Sequence, residues 1–161
     1  MAAELLASEF ATTVSSNDST ETHGSCLCGK VRYTITGQPR TRVVCHCLSC
    51  KKTSGSSFMA NEFYDREQVK IQDPDLVLRT YSDTSPESGS VLARSFCGNC
   101  GSNMVAQNSK RPEAMAVASG TLDDETLLRE WTPRLEFYCK RRSDWFSGPG
   151  LEEERKFQGM I

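Results

Sequence analysis

Apolar and polar residues alternate over many short segments of this chain. Between residues 30 and 37, Val31, Tyr33 and Ile35 alternate with polar residues, and this period of two is typical of a half-buried β-strand. Further strands are predicted at residues 42–44, 58–63, 69–71, 76–81, 91–96, 102–107, 114–119 and 135–139. Glycine, proline and aspartate between several of these segments favour turns. The pattern therefore predicts a mainly β fold of short antiparallel strands.

About one helix is expected beside these strands. Residues 121–131 combine an apolar side with acidic residues in the first turn, and Thr121 is the candidate N-cap. Residues 48–54 favour a single helical turn, which the small-residue loop 54–57 follows.

Length and composition place most of the chain in one globular domain. Of its 161 residues, 37% are hydrophobic and 25% are charged, as expected for a soluble domain with a sizeable core. We predict a flexible Ser/Thr-rich N-terminal tail at 1–23, the folded domain at 24–146 and a charged C-terminal extension at 147–161.

Charge and hydropathy exclude several classes of partner. The formal net charge of −2 provides no electrostatic attraction for nucleic acid or an anionic membrane surface. The chain has no run of about 18 apolar residues and no signal-peptide pattern at its start, so we expect a cytoplasmic protein. The sequence leaves a monomer and a homo-oligomer both open.

Cysteine is the residue type with the strongest pattern. Seven of the eight cysteines form three tight groups with the spacings C-x-C, C-x-C-x-x-C and C-x-x-C: Cys26 and Cys28; Cys45, Cys47 and Cys50; Cys97 and Cys100. Disulfides are the alternative, but they suit short secreted domains with widely spaced cysteines. The tight spacing in a reducing compartment favours zinc.

The outer two groups together supply the four ligands that a structural zinc requires. Cys97 and Cys100 form a knuckle, and we expect Gly101 to let the backbone turn around the metal without a Cβ clash. Cys26 and Cys28 complete the set if the first strand lies beside the Cys97 hairpin. We call these four residues the four-cysteine cluster.

The middle group, Cys45, Cys47 and Cys50, is called the three-cysteine cluster. A zinc with three protein ligands keeps an exchangeable fourth position, which is the pattern of catalytic sites. The alternative is a second structural site closed by Cys139 or His46. The apparent strand around Cys139 favours a core position for that thiol, and His46 suits a loop-orienting role better than ligation.

The three motifs together resemble the glutathione-dependent formaldehyde-activating enzyme family, which includes centromere protein V–like proteins. The motifs are G-x-C-x-C-G-x-V at 24–31, C-H-C-x-x-C-x-x-x-x-G at 45–55 and F-C-x-x-C-G at 96–101. Trp145 also stands at a position familiar from the family, and the resemblance covers roughly residues 24–146.

The resemblance implies a β-tent fold with two zinc positions. It implies a structural zinc at the four-cysteine cluster and a labile catalytic zinc at the three-cysteine cluster. The implied activity is that of a carbon–sulfur lyase, S-(hydroxymethyl)glutathione synthase-like, which reversibly adds glutathione to formaldehyde. Its partners are therefore a small-molecule thiol and an aldehyde. A lyase for a specialised metabolite and a non-catalytic zinc-stapled binding module are the alternatives.

Several polar residues are weaker candidates for substrate binding. Several cationic side chains would suit the carboxylates of glutathione, although a solvated surface position is the favoured interpretation of each of them. They are Lys51, Lys52, Arg40, Arg42, Arg141 and Arg142, with Thr53 beside them. For Trp145, core packing is expected, with a cavity wall as the alternative.

Overall fold

A computed structural model describes Glu4, Ser8 and residues 19–159. Within these residues the chain forms short strands and two α-helices, α1 (Leu48–Ser54) and α2 (Glu125–Glu130). The strands are β1 (Glu21–Ser25), β2 (Arg32–Thr36), β3 (Thr41–Cys45), β4 (Met59–Asp65), β5 (Val69–Gln72), β6 (Leu78–Asp83), β7 (Leu92–Cys97), β8 (Asn103–Asn108), β9 (Arg111–Ala118), β10 (Leu135–Phe137) and β11 (Lys156–Phe157).

The strands form two sheets. The smaller sheet has the order β1-β2-β5, and the larger has the order β11-β10-β3-β4-β9-β8-β7-β6. Most pairs are antiparallel, whereas β10 runs parallel to both β3 and β11. The prediction of a mainly β fold of short, largely antiparallel strands is confirmed.

The larger sheet curls over itself. In the sheet order, β3 and β6 are five strand spacings apart, which would separate them by about 24 Å in a flat sheet. Nevertheless Ser49 in α1, which follows β3, lies 3.4 Å from Ser85 in the loop after β6, measured between the two hydroxyl oxygens. The curl therefore brings distant parts of the chain together around one concave face.

Each cysteine cluster contributes two buried thiols to its own part of the hydrophobic core. One part lies between the two sheets and contains Cys26 and Cys97, together with apolar side chains such as Tyr33. The other part lies around β3 and β10 and contains Cys45 and Cys50. Burial of these thiols means that the same packing that forms the core also holds the sulfur atoms in place.

The second helix is shorter than predicted, and Thr121 is not its N-cap. The cap is Asp124, whose carboxylate accepts hydrogen bonds from the backbone N–H groups of Thr126 and Leu127. Thr121 instead ends a 3-10 turn, and its hydroxyl donates a hydrogen bond to the carbonyl of Ala118. Both residue types are good N-caps, and the acidic one lies nearer the apolar segment that becomes helical.

Strand β10 ends before Cys139, against our expectation of a strand over residues 135–139. Tyr138 adopts a left-handed conformation with φ of 58°, which breaks the alternation of the strand. Cys139 therefore begins a 3-10 turn and is only half-buried, so it does not take the core position predicted for it.

Strands occur on both sides of the range predicted for the domain. The first begins at Glu21, and β11 pairs with β10 and buries Phe157. Most of the predicted N-terminal tail lies outside the described residues. Among the residues that are described, neither helix has the length and apolar character needed to cross a bilayer.

Candidate metal centres and the adjoining cavity

The four-cysteine cluster forms where a turn of the small sheet meets a turn of the large one. Cys26 and Cys28 lie between β1 and β2, and Cys97 and Cys100 lie at the turn between β7 and β8. The sulfur atoms of Cys26 and Cys28 are 3.5 Å apart, and those of Cys28 and Cys97 are 3.7 Å apart. All four sulfurs lie within 4.8 Å of one another. The two turns thus converge on one point, as the spacing predicted.

The glycines of these turns have a different role from the one expected. A Cβ placed on Gly101 would meet open space, so no clash forbids a side chain there. Gly29 and Gly101 instead have φ values of 72° and 78°, a conformation that favours glycine. Their N–H groups donate 2.8 Å hydrogen bonds to the carbonyls of Cys26 and Cys97, which close the two turns.

The three-cysteine cluster forms at a strand-to-helix junction. Cys45 is the last residue of β3, Cys47 is the N-cap of α1, and Cys50 lies on the buried side of that helix. The Cys47 sulfur accepts a hydrogen bond from the Cys50 N–H at 3.3 Å, and the three sulfurs lie within 4.8 Å of one another. A strand end followed at once by a helix start therefore gathers three thiols from six residues.

Hydrogen bonds among the thiols shift their acidity. The bond from Cys45, followed by that from Cys50 and the charge of Arg94, lowers the pKa of Cys47 to about 3. Donation of the same bond raises the pKa of Cys45. In the other cluster, hydrogen bonds from Ser102 lower the pKa of Cys100 to about 5. Each cluster therefore favours at least one thiolate, which is the form that binds metal.

Both clusters have a donor set that suits zinc. A tetrahedral zinc with Zn–S bonds near 2.3 Å separates its sulfur ligands by about 3.8 Å, close to the distances in the four-cysteine cluster. The same distances are too long for disulfides, whose sulfurs are about 2.05 Å apart, and all eight cysteines are free thiols. The clusters are therefore consistent with metal binding, with four sulfur ligands in one and three in the other.

A cavity of about 330 Å³ adjoins the three-cysteine cluster. It lies against the concave face of the large sheet, where Ala106, Ala114 and Ala116 leave space because their side chains are small. Its walls also contain Cys45 and Cys50. The complete lining is Val43, Cys45, Cys50, Asn61, Phe63, Ser88, Ser90, Leu92, Arg94, Ala106, Asn108, Lys110, Arg111, Ala114, Ala116 and Phe137. We call this space the central cavity.

Arg94 is a cavity residue that the sequence did not single out. It is 6% exposed, and its Nε donates a 2.8 Å hydrogen bond to Oδ2 of the equally buried Asp83. The sequence carries a partial signal for the cavity, since alanines alternate at 114, 116 and 118. It carries none for Arg94, which pairs with a residue on the neighbouring strand.

The cationic residues proposed from sequence do not line the central cavity. Arg42 pairs with Glu62 at 2.7 Å, Arg141 with Glu87 at 2.7 Å and Arg142 with Glu136 at 3.4 Å. Two others bond elsewhere: Arg40 pairs with Asp65, and Lys51 donates to the carbonyl of Arg141 at 2.6 Å. Lys52 and Thr53 continue α1 without lining the cavity.

His46 and Trp145 have contrasting surroundings. His46 is fully buried, and its Nε2 lies 2.7 Å from Oε1 of the buried Glu136, an arrangement that orients the loop between Cys45 and Cys47. Its ring also contacts Phe58 and Phe146. Trp145 is 72% exposed, so the prediction of core packing is wrong. The aromatic packing there comes from its neighbour Phe146.

Comparison with known proteins agrees with this arrangement. A crystal structure of a Rhodobacter sphaeroides protein has a similar fold, with a TM-score of 0.51 and 19% sequence identity over 67% of this chain and 95% of that one. None of the curated proteins is a significant match. The family model for glutathione-dependent formaldehyde-activating enzyme matches residues 21–141, a range that contains both cysteine clusters. The chain therefore belongs to the glutathione-dependent formaldehyde-activating enzyme family.

Proposed function

We propose that this protein is a zinc-dependent carbon–sulfur lyase that reversibly adds a thiol, glutathione in the first instance, to an aldehyde such as formaldehyde. The observation that carries the proposal is the contrast between the two clusters. The four-cysteine cluster offers a full tetrahedral set, whereas the three-cysteine cluster offers three sulfurs and borders the central cavity. A metal with three protein ligands beside a cavity can accept a ligand from solution.

The roles of the residues follow from this contrast. Cys26, Cys28, Cys97 and Cys100 would hold a structural zinc. Cys45, Cys47 and Cys50 would hold the second zinc, which supplies a positive charge that lowers the pKa of a bound thiol. The chain itself provides the thiolates, a loop that His46 orients and a cavity wall with many apolar side chains.

The overall reaction is balanced without a further reactant. A bond forms between the thiol sulfur and the aldehyde carbon, and the carbon–oxygen double bond becomes single. The thiol proton is transferred to that oxygen. The product is a hemithioacetal, which is the S-hydroxymethyl adduct when the aldehyde is formaldehyde. In the reverse direction the carbon–sulfur bond breaks and the thiol regains the proton.

The central cavity favours an enzyme over a zinc-stapled binding module. A cavity of about 330 Å³ lies within the range of small-molecule sites, about 300 to 1,000 Å³. A lyase that acts on a specialised metabolite would use the same cavity, and its substrate would differ in the group that the cavity wall recognises.

Exchange spectroscopy tests the proposed reaction. Zinc-loaded protein is added to glutathione and formaldehyde, and the exchange rate between glutathione and its hydroxymethyl adduct is measured by two-dimensional NMR. We expect exchange faster than in the same zinc concentration without protein. Cys139→Ser is the control, because Cys139 lies outside both clusters, and it should match the wild type. Exchange no faster than with zinc alone would exclude the formaldehyde reaction.

A further inference from the structure

Among the described residues, every charged side chain that lines the central cavity is cationic. They are Arg94 near the three-cysteine cluster, and Lys110 and Arg111 at the turn between β8 and β9. The wall includes no aspartate or glutamate in the part of the chain described, although the chain as a whole carries a formal net charge of −2. Such a wall favours an anionic ligand.

Asp83 holds Arg94 by a single hydrogen bond to Nε. Its Oδ2 accepts from Nε of Arg94 at 2.8 Å, while its Oδ1 accepts from the N–H of Ser85 at 3.0 Å and from the Ser85 hydroxyl at 2.6 Å. Both oxygens of the carboxylate are therefore engaged, and they do not form the two parallel bonds common in arginine–carboxylate pairs.

One terminal nitrogen of the guanidinium lacks an acceptor. Nη2 of Arg94 is buried and has no hydrogen-bond partner among the described residues. A buried N–H group of a charged side chain without an acceptor is unfavourable, so this position suits an acceptor supplied by a ligand. Arg94 also lines the same cavity as Cys45 and Cys50 of the three-cysteine cluster.

We propose that Arg94 is a specificity-determining residue that binds the carboxylate of the thiol substrate in the central cavity. This inference rests on the proposed function, because it takes the cavity to be the place where the thiol adduct binds. The ligand class is a small thiol, or thiol adduct, that carries at least one carboxylate. Glutathione belongs to this class. The apolar part of the wall, including Val43, Phe63 and Leu92, would contact the carbon chain.

A pair of isosteric probes separates carboxylate recognition from the chemistry of the thiol. The probes are 3-(methylthio)propanoate and 3-(methylthio)propanamide, which differ in charge and cannot add to an aldehyde because their sulfur is methylated. Binding of each to zinc-loaded protein is measured by isothermal titration calorimetry. We expect the wild type to bind the carboxylate more tightly than the amide by roughly 10- to 100-fold.

Variants at Arg94 are compared with a matched control. Arg94→Gln should abolish the preference for the carboxylate and leave amide binding unchanged. Arg94→Lys keeps a positive charge beside Asp83, so this variant should fold even if Arg94→Gln does not. It should still reduce the preference for the carboxylate, because lysine lacks the planar guanidinium fork. Arg42→Gln is the control, since Arg42 also pairs with a buried carboxylate but does not line the cavity. It should retain the wild-type preference.

The outcomes separate this inference from the proposed function. The inference is overturned if the wild type binds both probes equally, or if folded Arg94 variants keep the preference. It is also overturned if these variants slow thiol–aldehyde exchange to the same extent for carboxylate and amide thiols, because Arg94 would then act on the reacting oxygen. The wild type could prefer the carboxylate probe, and lose that preference in the Arg94 variants, without accelerating thiol–aldehyde exchange. That result would refute the proposed lyase reaction and support the carboxylate site.

Discussion

Cys47 combines two structural roles at the residue scale. Its sulfur accepts the N–H of Cys50 as the N-cap of α1, and the same sulfur belongs to the three-cysteine cluster. The cap needs only a hydrogen-bond acceptor, which several side chains provide. Metal binding needs a thiolate. The two roles can therefore be separated by one substitution.

Cys47→Ser should keep the fold and lose activity. Serine is a favoured N-cap, so we expect the free energy of unfolding to change by no more than about 1 kcal/mol. Loss of a sulfur ligand should lower the exchange rate by more than about 100-fold, since even loss of a group that only supports a ligand costs about 10- to 100-fold. NMR exchange and thermal unfolding measure the two effects. A variant that unfolds would contradict this division of roles.

At the scale of elements, the four-cysteine cluster lies where a turn of the small sheet contacts a turn of the large sheet. One pair of thiols lies in the turn between β1 and β2 of the small sheet, and the other lies in the turn between β7 and β8 of the large sheet. A hydrogen bond from the N–H of Leu27 to the Ser102 hydroxyl, 3.0 Å long, joins the same turns. Without a bound metal, the four sulfurs would have only weak contacts to keep them together.

Cys97→Ser should therefore destabilise the protein more than any change in the three-cysteine cluster. Cys97 is fully buried, and binding of a structural zinc contributes directly to folding. We expect the melting temperature to fall by more than about 10 °C, from the usual relation between stability and melting temperature in a domain of this size. Circular dichroism during heating measures it. An unchanged melting temperature would refute a structural role for this cluster.

Most of the strands were predictable because their signal is local. Local patterns, among them the alternation of apolar and polar residues, identified β2 and each strand from β3 to β10 to within a few residues. Strand β1 was missed because Glu21–Ser25 shows no such alternation. Strand β11 contains two residues, and only its pairing with β10 makes it a strand.

On the scale of the whole molecule, the two clusters differ in their number of sulfurs and in the space beside them. The four-cysteine cluster offers four sulfurs, one of them from the exposed Cys28, while the three-cysteine cluster offers three and borders the central cavity. A zinc with four thiolates has no open position, and a zinc with three can exchange its remaining ligand and is more readily extracted.

Metal analysis should therefore find two zinc ions of unequal stability in each chain. Mild chelation should remove one of them and abolish thiol–aldehyde exchange, and the melting temperature should fall only slightly. Inductively coupled plasma mass spectrometry before and after chelation measures the ratio. Readdition of zinc should restore exchange. Two zinc ions that resist chelation equally would instead indicate two structural sites.

The sequence by itself determined which thiols group together and the fold class. The spacing of cysteines within each group is a local property, so it predicted which thiols lie together, and the period of two predicted a mainly β chain. The pairing of Cys26 and Cys28 with Cys97 and Cys100 could be inferred as well, because a metal needs four ligands and a knuckle supplies two.

Only the tertiary structure decided where the cavity lies and which charges line it. Arg94 and Asp83 lie on adjacent strands, and the curl of the large sheet brings them to the cluster that follows β3. Their charge, and for Lys51 also sequence proximity, favoured Lys51, Arg42 and Arg141 from the sequence, but these bond to other parts of the chain. A cavity forms where residues distant in sequence leave space between them, and a local pattern such as the alternating alanines at 114 and 116 indicates only one part of its wall.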